Sequence, residues 1–153
     1  MLVALALILS YVESMIPMSF AVPGIKLGLA NTVTIFAVFS LDGKRAAIIA
    51  VIRVCLVSLL FGSVMTLAYS ISGAVLSLTA VMILKKTGLF GPVGISVAGA
   101  VCHNIGQIIA AIILLRTNAL VFYLPPLLIS GCITGAIIGI LSGIIVKRIN
   151  IKE

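Results

Sequence analysis

Charge is what this sequence has least of. Ten basic and three acidic residues make up 8% of 153 positions, against 63% hydrophobic residues. Soluble domains carry about 25% charged residues. A water-facing surface cannot be built from so few charges, so the apolar exterior must face lipid. Cysteine is also sparse: Cys55, Cys102 and Cys132 lie far apart and form no CxxC pair. That excludes a zinc ribbon and a disulfide framework, and leaves cysteine as a small buried hydrophobe. The single histidine, His103, has no clustered partner, so no metal site is indicated. There is no GxxxxGK[ST] loop to cradle a nucleotide. The chain is therefore expected not to be an enzyme, and no cofactor is indicated. No basic region precedes the opening apolar run, and no small-x-small cleavage site follows it, so a cleavable signal peptide is not expected.

What is present is a series of long apolar runs: Leu2–Ile16, Leu27–Leu41, Ala46–Leu60, Val64–Leu84, Val93–Leu115 and Ala119–Val146. They are continuous and lack the alternation of a membrane barrel, and in lipid only helices and closed barrels satisfy the backbone. The expected fold is an all-α membrane protein, one domain over residues 1–153, with about six transmembrane helices. The first run gives only about 22 Å of helix and lacks a basic flank, so further N-terminal residues are expected to precede it. Pro125 and Pro126 are expected to mark the start of the last helix, since proline is tolerated in a first turn.

The net charge of +7 would suggest nucleic acid in a soluble chain. Here the basic residues sit at the ends of the apolar runs and report orientation, so no nucleic-acid partner is expected. Lys44, Arg45, Lys85, Lys86, Lys147, Arg148 and Lys152 fall on one side, and Lys26 and Arg116 on the other. The basic side is cytoplasmic by the positive-inside rule, which puts both termini there.

Polar groups inside the spans are functional candidates, because burying them in lipid is costly. Arg53 lies about 12 Å beyond Arg45, near the midplane. It needs an anion, a polar pocket or water, or a structural pair with Glu13 on the first run. His103, Asn104 and Gln107 cluster midway along the fifth run, and His103 and Gln107 share a helix face. They serve either a ligand or interhelical hydrogen bonds. The segment Pro23–Asn31 opens the second helix with Lys26 and Gly28 at its N-terminus. It reads either as an anion-binding mouth or as an interfacial lysine beside a Pro-Gly turn. Glu13, Lys26, Asn31, Arg53, His103, Asn104 and Gln107 are expected to line one outward cavity for a small polar or anionic-headed solute. Gly131, Gly135, Gly139 and Gly143 form a GxxxG ridge on the last helix, suited to close packing within the bundle or to docking a partner.

Several of these stretches resemble one bacterial family. They are Glu13-Ser14-x-x-Pro17, PGIKLGLANTVT at 23–34, Arg53, YSISGAVLSL at 69–78 and VGISVAGAVCHNIGQ at 93–107. The family is the Gx transporter family, also called heptaprenyl diphosphate synthase component I. The basic residues that should precede the first helix are the departure from it. The resemblance implies a multi-pass protein of the bacterial cytoplasmic membrane, similar to the substrate-binding S components of energy-coupling-factor transporters. It further implies partners: the bilayer, a solute such as a vitamin or cofactor precursor, and a membrane coupling subunit with ATPases or a small anchored protein. S components often dock through small residues of the first helix, where Ala6 and Ser10 make one small-xxx-small step. Two other roles are associated with the name: a membrane adaptor in flavin- or quinone-linked electron transfer, and an accessory subunit of heptaprenyl diphosphate synthesis.

Overall fold

The computed structural model describes residues 1–15, 29–41 and 43–149, and among these the chain is helical throughout. Six α-helices follow in order: α1 Leu2–Met15, α2 Leu29–Ser40, α3 Gly43–Phe61, α4 Val64–Thr87, α5 Pro92–Leu115 and α6 Leu124–Ile149. They track the six apolar runs, with one difference. The run from Ala119 opens as a 3-10 segment, Asn118–Tyr123, before α6 begins. Pro125 and Pro126 lack the N–H groups that would bond the carbonyls of Val121 and Phe122, so an α-helix cannot run through. Both prolines sit instead in the first turn of α6.

Helix ends are set locally. Ser63 caps α4, its Oγ accepting from the Thr66 N–H at 3.2 Å. Gly88 closes the same helix in the left-handed conformation at φ 66°. Lys85 and Lys86 in the last turn of α4, and Lys147 and Arg148 in that of α6, complement the negative helix ends.

Three segments are long and apolar enough to cross a membrane: α4, α5, and α6 with its 3-10 lead-in. Helices α1 and α2, of 14 and 12 residues, are shorter than a full span, and α3 carries Lys44, Arg45 and Arg53. The exterior is apolar all round. Leu5 and Ile8 on α1, Ile48 and Leu59 on α3, Val75 on α4, Ile113 on α5 and Ile129, Ile133 and Ile137 on α6 are all exposed. Cys132 is exposed among these α6 residues rather than buried as expected. A surface of this kind is what lipid covers, and water does not.

Helix α5 packs between α4 and α6, while α2 contacts α1, α3 and α6. The α4–α5 approach is close to backbone contact. A Cβ on Gly106 would stand 2.9 Å from Gly73 Cα, and Ser72 Oγ donates to Gly106 O at 3.0 Å across the crossing. On the other side of α5 the glycine ridge of α6 does the same. Cβ atoms on Gly135 and Gly139 would meet Val97 Cα at 2.8 Å and Val93 Cα at 2.5 Å. This face is therefore filled by α5 inside the bundle, and Gly131, Gly135 and Gly139 are buried there. One end of the bundle is tightly apolar: Ile35, Val38, Ala46, Val81, Ile95 and Ile138 form a buried cluster. Polar side chains gather toward the other end.

Candidate functional site

Side chains from all six α-helices meet around one cavity of about 220 Å³. Glu13 comes from α1, Asn31 from α2, Arg53 from α3, and His103, Asn104 and Gln107 from α5. Thus six of the seven residues singled out as ligand candidates are brought together. The seventh, Lys26, lies outside the described residues. Gly131 also lines the cavity, whereas Gly135, Gly139 and Gly143 do not.

Arg53 is the central group. Its Nε is buried and has no hydrogen-bond partner among the described residues. Glu13 is close enough to act on it electrostatically. The two earlier readings of Arg53, pair or ligand contact, are thus compatible, since the charge has a counter-ion while one donor stays open. Glycines set the geometry of the α5 residues. A Cβ on Gly73 would stand 2.8 Å from Gln107 Cγ and 3.0 Å from His103 Cε1, so α4 leaves room for both side chains to lie against it. A Cβ on Gly131 would stand 2.7 Å from Asn104 Nδ2, which donates to Leu127 O at 2.7 Å.

Sequence reasoning missed a set of hydroxyls. Ser10 and Ser14, Thr66 and Ser70, and Ser130 and Thr134 all line the cavity, together with Ser58. The signal was there: each pair is spaced i, i+4, which places both members on one helix face within an apolar stretch. Ser10 also settles the direction of the small-xxx-small step on α1. Ala6 is fully buried and Ser10 faces the cavity, so that step points into the bundle.

An apolar exterior around a polar hollow inverts the plan of a soluble domain and defines a helical membrane protein with an internal cavity. The model of one family, described as heptaprenyl diphosphate synthase component I, matches residues 2–145, and the chain belongs to that family. No curated protein and no solved structure matches the chain.

Proposed function

We propose that the protein is a membrane-embedded solute-binding subunit, similar to an S component, that captures a small polar or anionic-headed molecule. The observation that carries this reading is Arg53: a buried cation with an unpartnered donor, at a cavity that draws polar side chains from every helix. Keeping such a group in lipid is costly unless something uses it. The cavity is smaller than the roughly 300–1,000 Å³ of drug-sized sites, so the ligand is compact. In this reading α1, α2 and α3 complete six spans, with the ends of α1 and α2 extended by flanking residues. The basic loops lie in the cytoplasm of a bacterial cell, and the cavity opens toward the outside.

Native mass spectrometry of the chain from gentle detergent tests this. A small-molecule mass that is present in the wild type and absent in Arg53→Ala supports the reading. A bare polypeptide, or one carrying only another protein, goes against it.

The family description favours a second reading, an accessory subunit of heptaprenyl diphosphate synthesis. Chain elongation itself needs clustered carboxylates to hold Mg²⁺ on a diphosphate. Of the three acidic residues, only Glu13 lines the cavity, and the cavity is too small to enclose a seven-isoprene tail. The chain would then be a non-catalytic partner of the synthase. Copurification of that enzyme, with no small molecule, is its expected signature. A redox-cofactor protein captured instead would point to an electron-transfer adaptor.

A further inference from the structure

The hydroxyls of the cavity do not all have protons to offer. Ser14 Oγ donates to Tyr11 O at 2.6 Å, Ser130 Oγ to Leu127 O at 2.9 Å, and Thr134 Oγ1 to Ser130 O at 2.9 Å. A hydroxyl has one proton and two lone pairs. Each of these groups has committed its proton to its own helix and shows the cavity lone pairs alone. Asn104 has one amide N–H tied to Leu127 O, and its Oδ1 accepts. The carboxylate of Glu13 accepts only. The flank formed by α1 and α6 is therefore dominated by acceptors. Arg53 on α3 is the opposite kind of group. Its guanidinium donates and cannot accept, and its buried Nε is open.

Building on the solute-binding reading, we propose that the cavity selects an acid with one anionic group, held by Arg53, whose other polar groups are hydrogen-bond donors, hydroxyl or amino, turned toward Ser130, Thr134 and Glu13. A second anionic group is rejected because it meets lone pairs with no proton between them. A purely apolar acid is rejected because it strips water from these acceptors and leaves them unpaired.

The test uses the full chain in detergent and three probes at equal pH and ionic strength: gluconate, a hydroxylated monoacid; hexanoate, an apolar monoacid; and isopentenyl diphosphate, a polyanion. Gluconate is expected to bind more tightly than either of the others. Arg53→Gln should abolish acid binding. Thr134→Val keeps the side-chain shape and should weaken gluconate about threefold to tenfold, the worth of one neutral hydrogen bond, while leaving hexanoate unchanged. Hexanoate or the diphosphate matching gluconate would overturn the proposal while leaving a solute-binding subunit in place, as would a Thr134→Val protein that binds gluconate normally. If no probe binds but a molecule copurifies, its formula decides: a monoacid with several donors supports the proposal, and a polyanion or an apolar acid refutes it. If no probe binds and nothing copurifies, the solute-binding reading falls and this inference falls with it.

Discussion

Gly131 and Asn104 occupy each other's space. A Cβ on the glycine would stand 2.7 Å from the amide nitrogen that donates to Leu127 O. The missing side chain on α6 is thus what lets an amide on α5 lie flat against the start of α6. Gly131→Ala should dislodge that amide and lower stability by about 1–3 kcal/mol, the usual cost of overpacking. Thermal unfolding in detergent measures it. An unchanged midpoint would show that the amide has somewhere else to go.

The α4–α5 crossing should be less forgiving still. At Gly106 the obstacles are backbone atoms, Ser72 O at 2.8 Å and Gly73 Cα at 2.9 Å, which cannot rotate away as a side chain can. Gly106→Val should therefore cost at least about 3 kcal/mol, the upper end of overpacking penalties. Gly91→Ala is the control. Nothing stands within 4 Å of its Cβ, and its effect should stay within about 0.5 kcal/mol.

Lys85 ties α4 to the end of α2. Its Nζ donates to Val38 O at 2.7 Å and lies 5.6 Å from the centroid of the Phe39 ring. The carbonyl belongs to the last turn of α2, where a cation is favoured. Lys85→Met should lower stability by about 1.5–3 kcal/mol, the range for a hydrogen bond to a charged group. A chemical denaturation series comparing Lys85→Met with Lys86→Met would show whether the effect belongs to this lysine or to basic charge at the helix end in general.

Glu13 and Arg53 should behave as a unit. Removing either leaves a charge in a low-dielectric site, whereas removing both leaves none. A double-mutant cycle with Glu13→Gln and Arg53→Gln should give a coupling of about 0.5–3 kcal/mol, with the double variant more stable than the sum of the singles predicts. Additive effects would mean that the pair is not coupled.

Much of this was legible in the residues. Apolar runs bounded by Pro, Gly and charge gave six helices, because in lipid the helix is the local answer to backbone polarity. The polar candidates were visible for the same reason: Arg53 and the His103–Gln107 cluster stand out against an apolar background. Their meeting at one cavity was not readable, because it depends on how α1, α3 and α5 are placed around one another, and spacing along one helix carries no such information. The glycine ridge shows the same limit. Its period promised a close helix approach, but only the packing shows that α5 is the helix that approaches. Hydroxyls such as Ser130 and Thr134 were overlooked because serine and threonine can hide in apolar helices by bonding to their own backbone, as Thr134 does to Ser130 O at 2.9 Å.

The cluster of Ile35, Val38, Val81, Ile95 and Ile138 lies beyond the floor of the cavity. A molecule seated beside Arg53 has no watery route past it. The chain by itself is a cup rather than a pipe: it can hold a guest, but passing that guest onward means prising apart side chains that already fit. Any such work must come from outside these helices.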